Sequence, residues 1–243
     1  MHPALRGLVR SVRVGEQLHP GMRVQRLPEG TTSMLLRVYD DGGGELSLAG
    51  PRSRAVFKTV PPAARSVLVD FEPGASALFM GVPPRTLLDR YAPIESTWGD
   101  AGRRLRDRLV ATTSLADARR VLEDGLVQRL RERPPNAAMR LARRAVARLR
   151  GDDAPPRVSD LAGELGVSAR HLRRVFDEVV GLSPKELARM ARLQRALAVP
   201  RADASWSERA IEAGYYDQAH FIADFRDLVG TTPSRFAGGE VWT

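Results

Sequence analysis

Between about residues 5 and 82 the apolar positions fall in short runs divided by turn signals: MRVQRL then PEG, SMLLRVY then DDGGG, AVFKTV then PP, SVLVDF then EPG. Runs of four to seven residues at this spacing predict strands of a small β-barrel or sandwich. Past residue 100 the period changes. Leu115, Ala118, Leu122, Leu126 and Leu130 recur at helical intervals behind Ser114, a candidate N-cap, and Asp117 is placed to favour the helix's positive end. Arg133-Pro134-Pro135 breaks that helix, and another begins near Asn136. Its apolar side carries Leu141, Ala145 and Leu149; Arg140, Arg144 and Arg148 form a stripe read as a solvated face or as a contact to backbone phosphate. The turn and breaker residues from Gly151 to Pro156 end it. The chain therefore reads as an α+β, multidomain protein. A small β-barrel domain is expected over 1–98, a helical connector over 99–135 and an all-α domain over 136–240.

The all-α part contains an internal repeat. Ala162-Gly-Glu-Leu-Gly166 corresponds to Ala210-Ile-Glu-Ala-Gly214. Each glycine is followed by a cap, Ser168 or Asp217, then an apolar helix with Phe176 or Phe225, then Gly181-Leu-Ser-Pro184 or Gly230-Thr-Thr-Pro233. The alanines allow two helices to approach closely, and the glycines suit the left-handed conformation that stops a helix and opens a sharp turn. Ser168 and Asp217 can cap the next helix through their side-chain oxygens. The pattern predicts two helix-turn-helix units, roughly 158–182 and 205–236. Between them, Ser183-Pro184-Lys185-Glu186 is a capping box with proline at the first helical position, opening a helix expected to run to Pro200; Ser205-Trp-Ser-Glu208 is a second box. A spacer of ~16 residues is ~24 Å long. Such a strut can hold two reading helices ~34 Å apart, one DNA turn.

In the helix after Ser168, Leu172, Val175, Phe176 and Val179 share the core face, and the opposite face presents Arg170, Arg173 and Arg174. Three guanidinium groups on one side of a short helix can reach guanine edges or phosphates in a major groove. His171 and His220 occupy matching repeat positions. With no third ligand nearby, they are read as packing or phosphate-bonding residues rather than a metal site. Trp98, Trp206 and Trp242 are read as packing residues.

The segment LA-x-x-LGVS-x-RHL-x-R-x-F at 161–176, GLSP at 181–184, RL-x-x-A at 192–196 and AGYYDQAHF at 213–221, ending in GTTPSRF, resembles the AraC family of transcriptional regulators. The resemblance implies a pair of helix-turn-helix units fused to a variable domain that senses an effector or dimerises. It carries DNA contact onto Ser168, Arg170, Arg173 and Arg174 in the first unit. In the second it carries contact onto Asp217, Gln218, Ala219, His220, Ile222 and Ala223. One departure is visible: family members commonly carry a basic or polar residue two positions before the second core phenylalanine, and this chain has Ala223, followed by Asp224. The second helix is thus expected to offer no arginine to DNA. Gln218 could pair with adenine and Ile222 could meet a thymine methyl, both weaker than arginine on guanine. The N-terminal part is similar to a small cupin-like domain through Leu27-Pro-Glu-Gly30, Gly50-Pro51, Phe71-Glu-Pro-Gly74 and Gly81-Val-Pro83. Arg37 and Asp70 are the charged residues there best placed to line a pocket, or equally to lie on the surface.

Composition adjusts this picture at the edges. The formal charge of +9 favours a polyanionic partner. All but Lys58 and Lys185 of the 38 basic residues are arginine, however, so codon bias explains the excess nearly as well. The chain has no cysteine. That excludes thiolate metal sites, disulfides, cysteine nucleophiles and the acceptor-cysteine chemistry of alkylation-repair proteins carrying similar DNA-binding units. No catalytic constellation is visible, since the N-terminal half has only His2 and His19 and no serine in a nucleophile elbow. No cofactor and no metal are expected. No run approaches a membrane span and no signal peptide is recognised, so a cytoplasmic protein is expected. The expected partners are double-stranded DNA, RNA polymerase, a small-molecule effector at the N-terminal domain and a second copy of the chain. The other reading kept open is a protein-interaction module with little specific DNA binding.

Overall fold

The computed structural model describes residues 1–18, 21–151, 155–198 and 205–238. His19, Pro200 and Trp242, which figured in the sequence reading, lie outside the described residues.

The described residues of the first half form seven antiparallel strands, of which β2, β3, β5 and β6 are the runs read from the sequence: β1 (Val9–Leu18), β2 (Arg23–Arg26), β3 (Thr32–Val38), β4 (Gly44–Ala49), β5 (Val56–Thr59), β6 (Ala63–Phe71) and β7 (Tyr91–Pro93). Five make one sheet in the order β1-β6-β3-β4-β7, and β2 pairs with β5 in a second, two-stranded sheet. The period of two decides which side chains go where. Met34, Leu36 and Val38 on β3, Leu46 and Leu48 on β4, and Val67, Val69 and Phe71 on β6 are all buried on one face. Their alternates Leu35, Arg37, Ser66 and Leu68 point the other way, into a cavity between the two sheets.

The buried face is covered by helices α1 (Ser76–Met80), α2 (Glu95–Trp98), α3 (Asp100–Val110) and α4 (Leu115–Glu132). α3 packs on β3 and β4, and α4 on β6. The expected stripe on α4 is the reason: Ala118, Leu122 and Leu126 are buried while the intervening charged residues face outward. Ser114 caps α4 by accepting from the Asp117 amide at 3.0 Å. Asn136 caps α5 (Ala137–Arg150) in the same way through Met139 N at 3.0 Å.

Among the described residues, the rest is helical: α5, then α6 (Val158–Glu164), α7 (Ala169–Val179), α8 (Pro184–Ala198), α9 (Trp206–Glu212), α10 (Gln218–Val229) and α11 (Pro233–Ala237). The buried residues of the sheet-and-helix part and of this helical part belong to one continuous apolar cluster. No helix among the described residues is long and apolar enough to cross a membrane.

Candidate nucleic-acid interface

Each half of the repeat folds as a helix, a tight turn and a second helix. In the first, Gly166 takes φ 71° between α6 and α7, and Val167 N donates to Ala162 O at 3.0 Å. In the second, Gly214 takes φ 85° between α9 and α10, and Tyr215 N donates to Ala210 O at 2.9 Å. A side chain at either glycine would be strained in that conformation. Both alanines are fully enclosed, so the helices of each pair touch at the turn. The caps match as well: Ser168 Oγ accepts from His171 N at 3.1 Å, and Asp217 Oδ1 from His220 N at 2.7 Å. The second helix of each unit buries its expected stripe, Leu172, Val175, Phe176 and Val179 on α7, and Phe221, Phe225, Leu228 and Val229 on α10.

The face left over differs between the two. On α7, Arg170, Arg173 and Arg174 are all exposed. Arg174 leans on His171 Nδ1 at 3.2 Å and stands 3.9 Å from Glu178. On α10 the exposed residues in the matching places are Gln218, Ala219, His220 and Ala223, with Ile222 half-buried. Arg226, exposed one turn beyond Ile222, was missed in the sequence; it corresponds to Asp177 of α7. The signal was present in the repeat register, since Phe176 and Phe225 align. Tyr216, 92% exposed in the turn before α10, was also passed over. His171 and His220 are not brought together with other metal-binding side chains; no group of three or more such residues occurs among the described residues. His220 stands edge-on to Tyr215 with ring centroids 5.3 Å apart.

α8 joins the units and fixes their angle through arginine. Its capping box is present: Glu186 N donates to Ser183 Oγ at 3.2 Å and Ser183 N to Glu186 Oε2 at 2.7 Å. Arg189 reaches α10, where its Nε and Nη2 donate to Asp224 Oδ1 at 3.1 and 2.9 Å, and Nη2 also to Asp227 Oδ2 at 2.8 Å. Arg192 lies over the Tyr215 ring, 5.3 Å from its centroid, and 3.8 Å from Asp224. Asp224, which the sequence placed beside the reading face, is thus turned inward and buried. Burial pushes the Tyr215 phenol up to about 12, so it stays protonated beside this carboxylate. Trp206 adds an aromatic stack on Phe221, centroids 5.8 Å apart, which is the packing role expected of it.

The N-terminal part holds both units. Arg85, in a 3₁₀ turn at Pro84–Leu87, pairs with Asp177 of α7 at 3.0 Å. Gln194 of α8 donates to Pro28 O at 3.0 Å. The segment after β4 reaches α10: Arg54 pairs with Asp227 at 3.1 Å, and Ala55 N donates to Leu228 O at 2.7 Å. That segment is pinned from behind by Asp89, whose φ of 57° is the only positive value of a non-glycine among the described residues. Its carboxylate accepts from Ser53 N at 2.8 Å and Ser53 Oγ at 2.5 Å, which offsets the backbone strain. Arg52 donates to Asp89 O at 3.0 Å and lies over the Tyr91 ring at 4.5 Å.

Tyr91 is also a wall of the cavity between the sheets, about 480 Å³ in volume. Apolar lining comes from Met22, Val24, Leu27, Leu35, Val60 and Leu68; Gln194 of α8 closes one side. Arg37 lines it, the first of the two placements the sequence left open for it. Asp70 does not; it is buried, accepting from Ser11, Ser33, Arg13 and Arg26 at 2.6–3.0 Å. Burial pushes its carboxyl up, but the Ser33 hydrogen bond and the Arg13 and Arg26 guanidinium groups outweigh that and hold it below the usual carboxylate range. Arg13 and Arg26 line the cavity with their charge already met by Asp70, and Arg37 is met by Glu45 at 2.5 Å. Lys58 has no carboxylate partner among the described residues; its Nζ lies 3.2 Å from Tyr91 Oη and 4.5 Å above that ring. Burial pushes the Tyr91 phenol up, yet Arg52 and Lys58 pull harder and lower it to about 8.

Compared with known families, residues 161–238 match the model described as a helix-turn-helix domain. This segment is an AraC-type helix-turn-helix domain. A domain of this type makes the chain a DNA-binding transcriptional regulator. No curated protein matches the chain in sequence. Among solved structures, ToxT from Vibrio cholerae O395 is similar over 96% of this chain and 98% of its own, with TM-score 0.47 and 10% identity. ToxT from Vibrio cholerae strain SCE256, solved with an unsaturated fatty acid bound, is similar over 94% and 95%, with TM-score 0.45 and 14% identity.

Proposed function

We propose that this regulator reads an asymmetric DNA site, with α7 of its AraC-type domain supplying most base readout and α10 a weaker, A/T-tolerant contact. The observation that carries this reading is the contrast between the two exposed faces: three arginines on α7, against Gln218, Ala219, Ile222 and Ala223 on α10. Ser168 and Asp217, with His220, stand at the helix starts, where backbone amides and short polar groups meet phosphates. Arg226 and Tyr216 flank the α10 face and fit backbone contact better than base readout. Residues 1–98 act as the sensing part, 99–135 as its helical support and 136–240 as the DNA-binding part. The cavity suits an effector with an apolar body and one acidic group set against Lys58. Ile211, exposed near the end of α9, supports a protein contact, for which RNA polymerase is the expected partner.

Selection of binding sites from a random duplex pool tests the reading. The expected result is one enriched motif with a sharply defined half and a loosely defined A/T-rich half. Absence of any enriched motif would overturn it in favour of a protein-interaction module.

A further inference from the structure

α3 and α4 enclose a second pocket, about 130 Å³, that shares no residue with the cavity between the sheets. Its chemistry is unbalanced. Arg104 and Arg108, one turn apart on α3, and Arg129 on α4 line it, against the single carboxylate of Glu132. Arg104 and Arg108 are exposed and have no ion-pair partner among the described residues. Arg129 is only 8% exposed. Its guanidinium lies 4.6 Å over the Trp98 ring, which is itself fixed by an indole hydrogen bond to Phe79 O at 2.8 Å. Nε of Arg129 is buried with no hydrogen-bond partner, and Glu132 stands 3.8 Å from Nη1, too far for a hydrogen bond. α3 and α4 are in close contact here, since a Cβ at Gly125 would come within 2.7 Å of Leu105 Cδ1.

A buried guanidinium without a full set of acceptors is costly, and arginine is too basic to escape by releasing its proton. Burial and the neighbouring Arg133 both weigh against its charged form, and Glu132 only partly opposes them. An anion in the pocket would meet Arg129 from within and Arg104 and Arg108 at the rim. Three guanidinium groups suit a tetrahedral group with two charges and several acceptor oxygens better than a lone carboxylate. The volume admits a group of that size and excludes a nucleoside.

We propose that this pocket binds a phosphate group, free or on a small molecule, and that the bound anion ties α3 to α4 beneath the sheet. The site is separate from the DNA-reading face and from the cavity, so the proposal stands or falls independently of them.

Phosphorus NMR linewidths of inorganic phosphate and of glycerol phosphate, titrated with the full chain at constant ionic strength, provide the test. The intact protein is expected to broaden at least one probe saturably, at one site per chain, and the stronger probe distinguishes free phosphate from a phosphate ester. Arg104→Ala/Arg108→Ala should weaken that effect at least tenfold while keeping the circular dichroism of the parent. Arg131→Ala/Arg144→Ala removes the same charge elsewhere on the surface and should leave it unchanged. Equal broadening by the two double variants, or none by the parent, would overturn the proposal. Arg129→Met is expected to abolish binding; should it fail to fold, the rim variants still decide the matter.

Discussion

Arg54, in the segment after β4, lies 3.1 Å from Asp227 on α10, so the sheet-bearing part of the molecule is ion-paired directly to the second helix of the second unit. Both side chains are well exposed, so the pair itself contributes only about 0.2–1 kcal/mol. Its value is positional. Arg54→Ala is expected to lower thermal stability by no more than that amount, yet to reduce any change in DNA affinity that the proposed cavity effector produces. Asp89→Ala, which releases the same segment from behind, should do likewise. DNA titrations with and without ligand measure this, and an undiminished ligand effect in both variants would rule out the route.

Asp224→Ala leaves Arg189 and Arg192 partly buried beside an empty acceptor position. A loss of about 2–3 kcal/mol is expected, typical of hydrogen bonds to charged groups. Hydrogen exchange should place it in α9 and α10 and leave α6 and α7 protected. A uniform loss of protection would mean that the units are not separately held.

Arg170→Ala should cost about 1–3 kcal/mol and relax preference at one base. Ile222→Ala should cost less and act only in the A/T-rich half. Gel-shift series with each half scrambled in turn check this; equal losses from both substitutions would contradict the asymmetry.

The Tyr91 phenol, lowered to about 8, should ionise two pH units before an ordinary tyrosine. Because the folded value lies below the unfolded one, the stability it confers is fully present above the unfolded value and is lost as pH falls through about 8. Near-ultraviolet difference absorbance should show a transition near that pH which Tyr91→Phe removes. An acidic cavity ligand should bind less well above pH 8 in the parent, because phenolate opposes it, and this decline should vanish in the variant.

The parts legible in the sequence are those encoded by neighbours. Gly166 and Gly214, the caps at Ser168, Asp217 and Ser205, and the stripe through Leu172 and Phe176 act within a turn or two, and short spacing exposes them. Strands β2, β3, β5 and β6 were legible from run length, whereas the pattern left Arg37 open to either a pocket or the surface. What stayed hidden depends on partners far along the chain. Asp224 meets Arg189 35 positions away, and Asp70 meets Arg13 57 positions away, so neither inward turn is written in the local pattern. Arg226 is a different case: the repeat register that aligns Phe225 with Phe176 also sets Arg226 opposite Asp177.

α8 commits Arg189 and Arg192 to the second unit and Gln194 to the sheet-bearing part, so α10 is tied to the helix that joins the two units. Fifteen residues of helix, about 22 Å, then behave as a ruler. A single base pair inserted between the two halves of the target moves the second half by about 3.4 Å and turns it by about a tenth of a revolution. A flexible tether would absorb that change; if α7 and α10 read DNA as proposed, this strut would pass it on as lost contact at α10, and the molecule would discriminate against DNA spacing as well as against DNA sequence.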